Sequence, residues 1–587
     1  MAYINQPSAT TTVSVAGGDT FYLAETESII VASVAAAIRG SSLVGDTEVV
    51  IDGDAVSVGL NAIWFNANGA VEWYFHFGEE ASIRSARGLA ASSVYLIGDA
   101  PTAIESRLEL NNDGEISGTR GIFAQDIGTA AVANGGIVRG AVTAGVHLQQ
   151  VVDATVSNTG EISGRTRGVL LENADGTIFN FGDVLALDGV GIDLQDAVAE
   201  IHNEGLIAGT LFALRSTVQG TSLWNSGEMR GDVDLSDDGD AVFNSGLIAG
   251  DLDLNGGGND LTNSGEIQGG VDAAGSVDDM RNSGVVWGDV DLGEGDNQLR
   301  NSGELGEGYY GGANADLVVN RGSIAEVIDA GAGDNTVRNL GFVGGEITTG
   351  NDVDLVVNRG VVAQSIETLG DTDVVRNHGS VGGSIFTAGA GDKVVNTGEI
   401  DGSIDTGDTA DTVVNRGGSV GGDVSLGQGN DTYKARKGGE VDGRVQGNDN
   451  NDTLLGSTAD ETFEGGGGFD TLRGRGGDDE LKGGAGDDLI AGGAGDDVMT
   501  GGINNDVFVI GRHSGDDQIT DWTDGEDVLN LRALNIEIST SVGDVKAASQ
   551  NRAGGVVIID LDELGGDGSL EIAGWNVNLM SSDDFIF

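Results

Sequence analysis

Apolar side chains recur through residues 221–446 at a spacing no helix produces. Asn stands at 225, 244, 263, 282, 301, 320, 339, 358, 377, 396 and 415, every 19 residues, with glycine two positions later each time. Two residues before each Asn the side chain is apolar: Leu223, Val242, Leu261, Met280, Leu299, Val318, Val337, Val356, Val375, Val394 and Val413. The fourth position after Asn is apolar in ten of the eleven repeats, and the eighth is Val, Ile or Leu in most. Short period-2 runs separated by turns predict two strands per repeat and one solenoid coil per 19 residues. The Asn column reads as an internal ladder closing a turn.

Residues 447–509 change the period. They divide without gaps into seven nonapeptides whose eighth position is always apolar: Leu454, Phe463, Leu472, Leu481, Ile490, Met499 and Phe508. Glycine supplies the positive-φ turns and the apolar tail makes one strand, so two words form one coil of a parallel β-roll. Upstream of 225 the N-x-G word continues at 112, 134, 158, 180 and 203 with intervals of 22 to 24, which predicts wider coils. Residues 1–30 and the segment WYFHFGEE at 73–80 break the pattern. A solenoid must hide its end strands, so a cap or assembly surface is expected there, with Trp64, Phe65, Trp73, Tyr74, Phe75 and Phe77 as contact anchors. The expected organisation is an N-terminal arm or cap at 1–30, irregular coils at 31–220, regular coils at 221–446, the roll at 447–509 and a β-rich ending at 510–587.

Composition narrows the chemistry. The 587 residues include 94 Asp and Glu against 29 Lys and Arg, a formal charge of −65, which argues against nucleic acid or an anionic membrane as partner and for bound cations. There is no cysteine, so neither disulfides nor thiolate metal sites contribute. The run IIVASVAAAI at 29–38 is too short to span a membrane and lacks the basic start of a secretory signal.

The carboxylates occupy fixed places. In the roll, the sixth position of a word holds Asp452, Asp470, Asp479, Asp488, Asp497 and Asp506, with Glu461 in the second word. Stacked turns bring such carboxylates and turn carbonyls together at a spacing that suits calcium, a hard ion taking six or more oxygens. In the 19-residue coils the position four before Asn reads Asp240, Asn259, Asp278, Asn297, Asp316, Asn335, Asp354, Asp373, Asp392 and Asp411, continued by Asn430. A second calcium row follows, with Asp316, Asp354, Asp373, Asp392 and Asp411 as ligands; bare turn formation by Asp and Asn is the alternative.

These words, such as GGAGDDLIA at 483–491 and GGAGDDVMT at 492–500, resemble the RTX calcium-binding repeat. The resemblance implies that a site pairs the sixth-position Asp of one word with that of the word two further on: Asp470 with Asp488, Asp479 with Asp497, Asp488 with Asp506. The coils of residues 221–446 are similar to the repeats of bacterial ice-binding adhesins, although the outward Thr-x-Asn row of those proteins is absent. Segments such as DDQITDWTDGEDVLNLRAL at 516–534 and the final SSDDFIF resemble the ending of RTX proteins exported by type I secretion, which implies an uncleaved C-terminal signal.

Catalytic motifs do not stand up to their context. Ser419 in GGSVG lies in a coil and has no strand-to-helix elbow, G-x-G-x-x-G matches lack a βαβ unit, and H-E-x-x-H is absent. His76, His147, His202, His378 and His513 are scattered along the chain. A β-helical polysaccharide lyase or epimerase would gather acidic and basic groups on one face, and Arg321, Arg359 and Arg416 look like surface spacing instead. The expectation is an all-β protein: a right-handed parallel β-solenoid, then an RTX β-roll and a β-rich cap. Its expected role is that of a secreted, calcium-binding, non-enzymatic structural or adhesive protein that associates with itself and contacts cell-surface polysaccharide.

Overall fold

The computed structural model describes residues 106–217, 220–534 and 541–587, and shorter stretches between 3 and 97. The expected arm at 1–30 falls largely outside the described residues. The chain divides into two compact units, Met1–Glu307 and Gly308–Phe587.

In the first unit nearly every strand pairs in parallel with the strand one coil away. The long strands Arg120–Asn134 and Ala144–Asn158 run in register, Val132 opposite Val156 and Asn134 opposite Asn158. Alternation sends one set of side chains inward, and Leu110, Val132, Val156, Ile178, Ile201, Leu223, Val242, Leu261, Met280 and Leu299 make a core column of which every member is buried. Stacking identical strand positions at the inter-strand spacing packs each coil on its neighbours without a separate core domain. The segment expected to break the pattern is an ordinary coil strand, Glu72–Phe77, paired with Thr47–Ile51 and Arg107–Asn112. Phe65, Trp73, Phe75 and Phe77 point into the interior, with Phe65 and Phe75 edge to face at 5.3 Å. Buried rings cannot anchor a partner, which removes four of the six residues expected to do so.

In the second unit each 19-residue coil carries three strands, not the two expected. One coil runs Leu317–Asn320, Ser323–Ile324 and Ile328–Asp329. Two of these are only two residues long, too short for an alternation to register as separate elements. The middle strand ends with Glu440–Val441, after which coils have two strands. Core columns pass through this change unbroken. Val413 is followed by Tyr433, Leu454, Leu472, Ile490 and Phe508, and Val424 by Val445, Phe463, Leu481 and Met499. The nonapeptide roll is thus the solenoid with one wall removed.

The Asn column is a hydrogen-bonded ladder. In the second unit Asn320 donates through Nδ2 to Oδ1 of Asn339, and Asn339, Asn358 and Asn377 continue it at 2.9–3.0 Å, all fully buried. The first unit has the same ladder from Asn112 to Asn301, including the wider coils. Each inner amide is thereby satisfied by its own kind, as a buried polar row requires, while Oδ1 of Asn112 is buried without a partner. The described residues after 510 close the roll. Gly515–Ile519 and Val528–Asn530 continue its strands, and an antiparallel pair, Val556–Asp560 with Gly568–Ala573, lies beside them. Trp522 and Trp575 pack there with ring centroids 4.5 Å apart.

Candidate calcium ladder

At the corner where each coil enters its first strand, a column of carboxylates is buried. In the second unit it runs Asp316, Asn335, Asp354, Asp373, Asp392, Asp411, Asp431, Asp452, Asp470, Asp488, Asp506 and Asp527, each at most 3% exposed. Every member down to Asp506 donates its backbone N–H to Oδ1 of the next, at 2.6–3.0 Å. A second column begins where the middle strand is lost: Glu461 donates to Asp479, Asp479 to Asp497 and Asp497 to Asp517. The structure therefore brings Asp470 beside Asp488, Asp479 beside Asp497 and Asp488 beside Asp506, and one column joins the solenoid coils to the roll. The residue continuing the column past Asp411 is Asp431, not Asn430, which is exposed. An extra residue at Gly417–Gly418 lengthens that coil to 20: Asn396 still faces Asn415, but Glu399 faces Ser419. The first unit carries Asp240, Asn259, Asp278 and Asn297 in the same relation.

The second oxygen of these carboxylates defines the site. Oδ2 of Asp240, Asp278, Asp354, Asp373, Asp392, Asp411, Asp431, Asp452, Asp470, Asp479, Asp488, Asp497 and Asp506 is buried without a hydrogen-bond partner, as is Oε2 of Glu461. An unpaired buried polar group costs about 1–3 kcal/mol, more when charged. Burial accordingly pushes the carboxyls up, Asp470 and Asp497 to about 6 and Asp452 and Asp506 to about 7. Glu461 and Asp479 are both raised, first by burial. In the solenoid coils Asp354 stands at about 6, Asp373 and Asp411 at about 7, and Asp392 is raised, again through burial.

The residue five positions earlier is glycine throughout the roll and varies in the coils, where Asp316 has Gly311 and Asp431 has Leu426. In the roll it is Gly447, Gly465, Gly474, Gly483, Gly492 or Gly501, and the orphan oxygen faces a bare Cα: a Cβ on Gly483 would lie 2.4 Å from Asp488 Oδ2 and 2.6 Å from the Gly501 carbonyl oxygen. In other coils it is Thr349, Thr368 or Thr387, whose hydroxyl stands beside Asp354, Asp373 or Asp392 and favours the charged form. Thr406, beside Asp411, also donates to the Leu426 carbonyl at 3.0 Å. Thr349, Thr368 and Thr387 Oγ1 are buried without a hydrogen-bond partner, so these coils hold a hydroxyl near the carboxylate where the roll has none.

Among the described residues no three carboxylate or imidazole side chains converge, and the oxygens that would hold an ion here are the paired carboxylates and the turn carbonyls. That all-oxygen donor set, with orphan anionic oxygens repeated coil after coil, fits a hard divalent cation. Bound calcium supplies the positive charge that these oxygens lack.

Residues 437–472 and 473–508 match the family model of the RTX calcium-binding nonapeptide repeat. Fold and columns together define a calcium-binding β-solenoid carrying an RTX roll. The chain is similar to a hyperactive, Ca2+-dependent, β-helical antifreeze protein from an Antarctic bacterium, at 21% identity over 49% of this chain and 83% of that one, with a TM-score of 0.31. It is also similar to the R3 subunit of the Azotobacter vinelandii mannuronan C5-epimerase, at 25% identity over 24% of this chain and 79% of that one, with a TM-score of 0.15. Superposition this partial places neither protein's activity on this chain. No curated protein matches the sequence.

The wider coils gather a group the linear pattern did not reveal. Phe123, His147, Leu170, Asp193 and Arg215 share one column, of which the first four are buried. Asp193, with its side chain fully buried, accepts from Arg167, Arg215 and Gln195, while His147 Nε2 and Gln149 meet the Glu172 carboxylate at 3.0 Å. The Arg120 guanidinium lies 4.7 Å from the Phe123 ring centre, and its Nε is buried without a hydrogen-bond partner. Burial, then the charge of Arg120, hold His147 well below its usual range, so it is neutral at pH 7.

Proposed function

We propose that this protein is a secreted structural or adhesive element of a bacterial surface layer, filament or matrix. Its principal partner on this reading is further copies of itself, and cell-surface polysaccharide is a second. The observation that carries the reading is the buried carboxylate column from Asp452 to Asp506, whose orphan oxygens make the folded roll contingent on calcium. Where calcium is scarce the chain, at −65, repels itself and stays exportable; outside the cell, ion binding free energy becomes folding free energy. Among the described residues no helix is long and apolar enough to cross a membrane. Electron microscopy of the purified protein in calcium and in chelator tests this. Ordered assemblies in calcium alone are expected, and dispersed single particles in both conditions would refute the assembly role.

One observation favours a second reading, a polysaccharide-modifying enzyme. The group around His147 places a neutral imidazole, two carboxylates and Arg120, Arg167 and Arg215 on one solenoid face, as acid–base work on an acidic sugar requires. Depolymerisation or epimerisation of a polyuronate by the purified protein, abolished by His147→Ala, would establish it.

A further inference from the structure

One outward column of the first unit is a stack of rings. Phe179, His202, Trp224 and Phe243 occupy the same position in four successive coils. Their centroids are 5.0, 4.5 and 5.7 Å apart and the planes differ by 18°, 3° and 9°. Inside such a stack each face is covered by the next ring. The row stops at Phe243. Its neighbour in the next coil is Thr262, too small to cover a ring. Arg281, one coil further, is drawn to Asp279 on its own strand and lies 4.0 Å from Asp260. Phe243 is accordingly 41% exposed.

The open face borders a cavity of about 360 Å³ lined by Trp224, Phe243, Thr262, Ser226, Ser245 and Ser264, with His202 and Glu204 at its other end. We propose that this cavity binds a neutral polysaccharide, one pyranose ring lying over Thr262 against the outer face of Phe243. The ring face of Phe243 carries the negative lobe of its quadrupole, which suits the electropositive C–H face of a sugar. Three serine hydroxyls line the other wall in successive coils. Each makes only a long bond, 3.3–3.4 Å, to the carbonyl of Asn203, Asn225 or Asn244, and each retains acceptor capacity for a sugar hydroxyl. Charge argues against an acidic sugar: Arg281 and Arg300 are matched by Asp279 and Asp260, Glu204 adds a negative group, and the chain as a whole is strongly anionic.

The inference deepens the polysaccharide part of the reading above and is separable from assembly. Full-length protein in calcium is run in gels containing hydroxyethylcellulose, dextran or laminarin, with alginate as the acidic comparison. Retardation by at least one neutral polymer is expected. Thr262→Phe, which extends the stack by one ring and fills the slot, is expected to weaken it at least tenfold while melting no lower than the wild type. Phe243→Leu, which removes the ring face, should do the same to binding. Absence of retardation in all three neutral gels, retardation that survives Thr262→Phe, or retardation by alginate alone would overturn the proposal. A protein that assembles in calcium but shows any of these outcomes loses only this site.

Discussion

Asp470 donates its backbone N–H to Oδ1 of Asp488 at 2.8 Å, while Oδ2 of each of these two carboxylates stays buried without a partner. One oxygen is thus structural and the other is the one that would take a cation. Asp488→Asn keeps the acceptor and removes the charge. Calcium titration followed by circular dichroism should show the folding midpoint rising at least tenfold in calcium, about 1.4 kcal/mol per site, with a normal spectrum at saturation. An unchanged midpoint would remove Asp488 from the ligand set.

Glycine before each carboxylate is a spatial requirement. Gly483→Ala would set a Cβ 2.4 Å from Asp488 Oδ2, whereas at Gly467 a Cβ meets nothing within 4 Å. Gly483→Ala should lose calcium-induced folding of the roll, and Gly467→Ala should fold as the wild type does. Equal behaviour of the two variants would contradict the geometry.

Calcium dependence should differ along the second unit. Residues 447–509 hold 14 acidic and 3 basic residues and put glycine beside each orphan oxygen, while the coils up to Asp411 add a third strand, an Asn ladder and the Thr hydroxyls. Hydrogen exchange in chelator should therefore release 465–509 well before 320–415. Simultaneous exchange would mean that the coils rely on the ion as much as the roll does.

In chelator the pH trend should run opposite to that of a protein held by ion pairs. The folded-state carboxyls of Asp452, Asp470 and Asp506 stand at about 6 to 7, above the ordinary value of 3.8, so the native state binds more protons than the unfolded chain between those limits. Their contribution is fully present below about pH 4 and is lost as pH rises through 6 and 7. Calcium-free melting temperatures should fall from pH 4.5 to pH 7.5. Calcium affinity should rise over the same interval, because the ligands must shed protons to bind. Melting in chelator that rises with pH would show these carboxyls to be ionised and compensated without metal.

The apolar columns, the Asn ladder and the aspartate row were legible because each repeats at one interval and needs no knowledge of how a coil bends. Three features were not. The two-residue strands, such as Ser323–Ile324, are shorter than any alternation that could reveal them. The extra residue near Gly417 shifted the column from Asn430 to Asp431, a slip that only pairing registers expose. The group at His147 is spread over coils of unequal length, so its members share no fixed spacing and meet only once the strands are aligned. The aromatic segment at 73–77 misled for a different reason: density of rings says nothing about which face of a strand they occupy, and alternation placed Trp73, Phe75 and Phe77 inside.

The aspartate column has a direction. Each backbone donor belongs to one coil and its acceptor carboxylate to the coil that follows in the chain, from Asp452 through Asp470 and Asp488 to Asp506. Removing a carboxylate therefore orphans an amide in the preceding coil and leaves the amide of the following coil untouched. Loss of a carboxylate is therefore felt, through this bond, on its N-terminal side. The same corner carries backbone bonds of the opposite sense, Leu489 donating to the Asp470 carbonyl and Val507 to that of Asp488, both at 2.8 Å, so each aspartate ties its coil to both neighbours by chemically different bonds, and only the side-chain one is lost when its carboxylate is removed.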